Sequence, residues 1–133
     1  KGEDGTIVIR FKPGSNRIPL TSTMNGSLEQ EFLVDTGASM VTIPSSAVEE
    51  LGIEIVSGDH YNERRVSTAG GVRMASEVML DSLEIGGWIE YEVKALVLDI
   101  PDQPGLGLLG LNYLSRFRMD LQNDEGILIL APK

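Results

Sequence analysis

The sequence predicts an all-β domain, a barrel or sandwich carrying one or two short helices. Short apolar runs with β-branched residues recur along the chain, and Gly-containing turns separate them. Only two short segments have helical character. The strongest local signal is Asn25-Gly26, the preferred dipeptide of a two-residue hairpin turn, set between two apolar runs.

Taken in order, residues 6–11 (TIVIRF) read as a first strand, and Pro13-Gly14-Ser15-Asn16 as a loop. Residues 18–24 and 27–34 form a hairpin across Asn25-Gly26. Residues 41–43 make another short strand, closed by Pro44. A short helix follows over residues 45–51, with Ser46 and Glu49 spaced as a capping box and Gly52 as its stop. Residues 57–63 are polar and read as loop. Val66 and residues 72–75 flank Ala69-Gly70-Gly71, a hairpin with a Gly-rich tip. Residues 78–85 and 89–100 flank Gly86-Gly87, a further hairpin, and residues 101–107 (PDQPGLG) are loop. Leu111, Leu114 and Phe117 recur at helical spacing and predict a second short helix. Residues 117–121 and 127–130 are the closing strands. No linker, repeat or low-complexity tract interrupts the chain, so residues 1–133 read as one domain.

Composition narrows the function. The 133 residues suffice for one core, and a hydrophobic content of 41% argues against disorder. The formal charge of −9 lacks the basic footprint that nucleic acids and anionic membrane surfaces require. It favours basic or neutral substrates over acidic ones. With no cysteine, disulfides, thiolate metal sites and cysteine nucleophiles are excluded together, while either redox compartment remains open. No apolar run is long enough to span a bilayer. The sequence starts at Lys1 rather than Met, which reads as a fragment or processed form of a longer chain. Export or membrane tethering of that longer chain is compatible with such a start, and the compartment is left open.

The stretch Phe32-Leu33-Val34-Asp35-Thr36-Gly37-Ala38-Ser39 carries the chemistry. An apolar strand here runs directly into a carboxylate and then turns on glycine. Burying an unpaired carboxylate is costly, so Asp35 needs either a partner or a cleft. Taken alone, Asp-Thr-Gly is ordinary turn chemistry. The alternatives elsewhere are few. His60 is the only histidine, lies in a polar loop and has no nucleophile-elbow pattern to serve, so a solvated histidine is the simpler reading. One histidine without cysteine does not make a zinc site. Residues 104–110 are Gly-rich but lack the Lys-Ser/Thr of a phosphate-binding loop. No metal and no cofactor is expected.

Several features taken together, in this order, resemble the retropepsin-like aspartic proteases, and most of all their bacterial single-domain branch. They are the Asn25-Gly26 hairpin, Asp35-Thr36-Gly37-Ala38-Ser39, Val41-Thr42-Ile43-Pro44 with its helix, the Ala69-Gly70-Gly71 hairpin, and Leu108-Leu109-Gly110 before a short helix and Arg116-Phe117. The resemblance spans nearly the whole chain. It implies a retropepsin-like acid protease barrel that hydrolyses peptide bonds. Only one Asp-Thr-Gly is present, and Asp81, Asp99, Asp102 and Asp120 lack a following Thr/Ser-Gly. The resemblance therefore implies a dyad of Asp35 with Asp35 of a second copy, completed by homodimerisation. Two carboxyls so close hold one proton between them.

By the same resemblance, the hydroxyl of Thr36 bonds across the dimer axis and the backbone of Gly37 contacts the acids and substrate. Ala38 and Ser39 line the cleft. Ala69, Gly70 and Gly71 sit at a flap over an extended peptide or protein substrate. Leu108-Leu109-Gly110 supports the Asp35 loop. Retroviral members have Asp at the position of Ser39 and, after the glycine, Arg at that of Leu111; both ends of that pair are absent here together. The alternative to an endopeptidase is a catalytically silent module of the same fold that binds extended peptides or mediates dimerisation.

Overall fold

A computed structural model describes residues 5–53, 63–68 and 71–133. Its element order is β1 (Ile7–Arg10), β2 (Pro19–Met24), β3 (Leu28–Val34), β4 (Val41–Ile43), α1 (Ser45–Leu51), β5 (Glu63–Thr68), β6 (Gly71–Ile85), β7 (Trp88–Val97), β8 (Gly107–Leu109), α2 (Leu111–Leu114), β9 (Phe117–Gln122) and β10 (Ile127–Pro132). The strands form two sheets. One has the order β1-β10-β9; the other runs β2-β3-β8-β4-β7-β6-β5, with a further β2–β6 pairing that closes much of it into a barrel.

The expected hairpins form. The chain turns at Asn25-Gly26 with both residues at positive φ (52° and 72°), as a type I′ turn demands. Asn25 also accepts the N–H groups of Asp81 (2.8 Å) and Ser82 (3.3 Å) at its side-chain oxygen, tying this turn to β6. β5 and β6 pair from Glu63↔Ser76 to Thr68↔Gly71. Residues 72–75 and 78–85, separate in the sequence reading, belong to one 15-residue strand that serves two hairpins.

Several local expectations are corrected. The Ser46/Glu49 capping box does not form: the helix N-cap is Pro44, with no side-chain cap bond. Asp99, remote in sequence, takes that role by accepting the Ser45 N–H (2.9 Å) and the Ser45 hydroxyl (2.8 Å). The second helix stops at Leu114, because Phe117 is drawn into β9. β7 ends at Val97, three residues before the predicted boundary. Glu63, read as the end of the 57–63 loop, opens β5, and Gly107, read as the end of the 101–107 loop, opens β8, because each is paired to a neighbouring strand. Residues 57–62, including His60, lie outside the described residues.

The core is apolar and continuous. Phe32, Met24, Val41, Ile43, Leu80, Leu109, Leu114, Leu128 and Leu130 are fully buried in it. Tyr113 is also fully buried, its ring 5.2 Å from that of Phe117. Its hydroxyl has no hydrogen-bond partner. Burial raises its pKa well above the ordinary tyrosine value, Glu90 adding to the rise and Arg116 opposing it. Tyr113→Phe keeps the ring and removes the orphaned hydroxyl, so we expect a gain of about 1 kcal/mol in denaturant unfolding. The sign of the pH effect follows. The unfolded chain loses this proton near pH 10 while the folded chain retains it, so wild-type stability falls as pH rises beyond about 10. Tyr113→Phe should show a shallower alkaline loss.

Candidate active site

Two parallel pairings build the site. β3 runs parallel to β8 through Phe32↔Gly107, Leu33↔Leu108 and Val34↔Leu109. β4 runs parallel to β7 and meets β8 at Thr42↔Leu108. Parallel pairing brings the C-terminal ends of β3 and β8 to one place, so Asp35 leaves β3 where Gly110 leaves β8. The residues of β4 are all buried, as expected for a strand inside mixed pairing. Its one polar residue, Thr42, is satisfied: its hydroxyl oxygen accepts the Leu108 N–H at 3.1 Å.

The Asp35 loop is held mainly by the backbone. Asp35 N–H donates to Leu109 O (3.1 Å), and Ala38 N–H to Asp35 O (3.2 Å). Leu111 N–H donates to Ala38 O (2.9 Å) and Asn112 N–H to Ser39 O (3.1 Å). Asn112 adds a clamp: its side-chain oxygen accepts the Val41 N–H (2.8 Å), and its amide donates to Lys94 O (2.7 Å). This main-chain and amide network joins the loop to α2, where Ser39 and Leu111 offer no charged pair.

Asp35 itself is half-buried. Its Oδ1 accepts the Gly37 N–H at 2.9 Å. A Cβ at position 37 would stand 3.2 Å from that oxygen, so glycine lets the amide approach the carboxylate freely. Among the described residues no cation forms an ion pair with Asp35.

Asp35, Gly37, Ala38 and Ser39 line a cleft of about 850 Å3. Leu33, Leu96, Leu98, Ile100, Leu106 and Leu108 give it apolar walls, and Pro101 and Gln103 contribute from the 101–107 loop. Leu108 therefore lines the cleft, and Leu109 is the fully buried member of the pair. Thr36 is exposed beside the cleft, its hydroxyl without a partner among the described residues. Gly71 begins β6 at φ 114° and pairs with Thr68. Ala69 and Gly70 lie outside the described residues.

Several lining or supporting residues gave no sequence signal. Gln30 is buried and donates to Gly105 O (2.8 Å) and Glu31 O (2.8 Å), pinning the 101–107 loop. Arg17 donates to the Gln103 side chain at 2.9 Å. Arg65 and Arg73, on β5 and β6, reach the cleft across the sheet. Only pairing register, invisible before folding, brings them there. Asp99 is the other carboxylate on the wall, and both its oxygens are engaged by Ser45.

The comparisons with known proteins agree with this geometry. A family model described as "Aspartyl protease" matches residues 20–113. The chain is 30% identical over 133 residues to "Uncharacterized protein RP867" of Rickettsia prowazekii (strain Madrid E), covering 96% of this chain and 52% of that protein. It is 27% identical over 128 residues to "Uncharacterized protein in cobV 5'region" of Sinorhizobium sp, covering 89% of this chain and 54% of that protein. The chain thus spans about half the length of these two relatives. Among solved structures it superposes on a crystal structure of a retropepsin-like aspartic protease from Rickettsia conorii with a TM-score of 0.73 and 27% identity, over 94% of this chain and 89% of that one. From the Asp35 loop, the parallel pairing beneath it and these matches, the chain belongs to the aspartyl protease family and has its retropepsin-like fold.

Proposed function

We propose that this chain is one half of a homodimeric aspartic endopeptidase, with Asp35 and its counterpart in a second copy as the dyad. The observation that carries the reading is Asp35 itself. It lies on the wall of an apolar cleft, fixed through Oδ1, and the other wall carboxylate, Asp99, is committed to α1. One chain therefore offers one available acid among the described residues of the cleft, and acid–base hydrolysis through a carboxyl pair needs two. Exposed Thr36, with its unpartnered hydroxyl, supplies a group suited to bonding across a two-fold axis.

In the mechanism, the paired carboxyls share one proton because two adjacent negative charges repel. The ionised member takes a proton from a water held between them, and the water oxygen attacks the peptide carbonyl carbon. The protonated member donates a hydrogen bond to the developing oxyanion. A proton passed to the leaving nitrogen then lets the C–N bond break, yielding a carboxylic acid and an amine. The Gly37 N–H keeps one oxygen of Asp35 oriented throughout. An extended peptide lies along the cleft over Ala38 and Ser39, with its side chains against the leucine walls.

The test is digestion of a diverse peptide pool from acid to neutral pH over a wide range of chain concentration, with products read by mass spectrometry. Below the dimer dissociation constant the rate should rise with the square of chain concentration. A linear dependence at concentrations where sedimentation shows the chain to be monomeric would overturn the shared dyad. Peptide binding without cleavage at any concentration would favour the silent peptide-binding module.

A further inference from the structure

The cleft carries a charge that the whole-chain composition conceals. The chain is acidic, at −9, and that alone favours basic or neutral substrates. On the cleft wall, however, stand Arg65 and Arg73, and neither guanidinium has a hydrogen bond or ion pair among the described residues. Both are exposed. They lie on adjacent strands, one register step apart: Arg73 is directly opposite Val66, and Arg65 opposite Met74. Successive register steps send the two side chains from opposite faces of the hairpin, so each is a separate cation at the cleft, and an anion beside either one supplies the counterion it lacks.

The acidic groups of the cleft do not cancel them. Asp99 is engaged at both oxygens by Ser45, and a dyad sharing one proton contributes less than one negative charge per chain. Remote surface carboxylates are screened beyond about 8 Å at physiological salt, so the local arginines dominate what a bound peptide meets. Arginine also suits the task by its chemistry, since its fork matches a carboxylate with two parallel hydrogen bonds. The remaining walls are leucine and isoleucine.

We infer that the cleft selects extended peptides carrying an acidic side chain beside an apolar one, with Arg65 and Arg73 as the specificity-determining residues. This rests on the cleft being the peptide site proposed above, and it reverses the preference that net charge alone suggests.

The experiment separates the two propositions. Labelled peptides in matched pairs, identical except for aspartate or glutamate against asparagine or glutamine, are titrated by fluorescence anisotropy into the Asp35→Asn protein. The same background carrying Arg65→Gln with Arg73→Gln, and carrying both as lysine, is titrated alongside. Both arginines are exposed, so these variants should fold. The acidic member of each pair should bind about three- to tenfold more tightly. That ratio should shrink towards one at about 1 M salt, where the screening length is about 3 Å. It should also vanish in the double glutamine variant and partly return with lysine, while the neutral twins bind alike throughout. Equal binding of the twins, a preference that survives in the double glutamine variant, or no binding of either twin would overturn the inference. Wild-type digestion of the same peptides reads the other proposition: cleavage without acidic preference sinks only this inference, and acidic preference in binding without cleavage sinks only the peptidase.

Discussion

Asp35→Asn is expected to abolish peptide cleavage while leaving the fold unchanged. Asparagine has the same shape as aspartate, and its side-chain oxygen can still accept the Gly37 N–H that orients Asp35 at 2.9 Å. No ion pair is lost, because Asp35 has none among the described residues. Unfolding should therefore shift by less than about 1 kcal/mol. What the proposed dyad loses is its proton-accepting and proton-donating pair, and removing such groups costs roughly 100- to 10,000-fold in rate. A mixing experiment gives the sharper result. If each dimer has one dyad built from both copies, equal amounts of wild type and variant, allowed to exchange, leave about a quarter of the dimers competent. Activity near half that of wild type would mean that each copy carries a complete site, and the shared dyad would be wrong.

Much of the geometry of this candidate site was legible in the sequence because it is local. Asp35-Thr36-Gly37 marks its own turn, and Asn25-Gly26 sets a hairpin that two residues determine. Leu108-Leu109-Gly110 marked the support of the loop, although not as a strand; β8 is only three residues long and is defined by its neighbours. The residues that escaped are those whose roles depend on long-range register. Asp99 caps a helix 54 positions away, and Gln30 holds a carbonyl 75 positions away. Asn112 looks like one polar residue in a short helix until β4 and β7 are brought against it. Ser46 and Glu49 matched a capping box, yet an outside carboxylate reached Ser45 instead. Local propensity yields where tertiary contacts supply a better partner.

Gly110→Ala tests how tightly the loop is packed, and its effect should rival that of Asp35→Asn by a different route. The backbone at Gly110 is extended, with φ −93° and ψ −175°, so alanine meets no conformational penalty there. The objection is space. A Cβ would collide with the carbonyl group of Met40 and stand 2.9 Å from Ala38 O. These are backbone atoms that cannot rotate aside, and Ala38 O is already the acceptor for Leu111 N–H. Relief requires β8 and the Asp35 loop to separate, which stretches the Asp35 N–H bond to Leu109 O as well. We expect a loss of about 3 kcal/mol or more in denaturant unfolding, with activity falling by more than the unfolded fraction explains. Gly14→Ala is the contrast. Gly14 sits at φ 78° with nothing within 4 Å of the added carbon, so it should lose only about 1 kcal/mol, with no change in the activity of the folded protein. If the two variants lose the same stability and keep the same activity, the close contact between β8 and the Asp35 loop is not what holds the carboxylate in place. The clamp would then have to lie in Asn112 and its bonds to Val41 and Lys94.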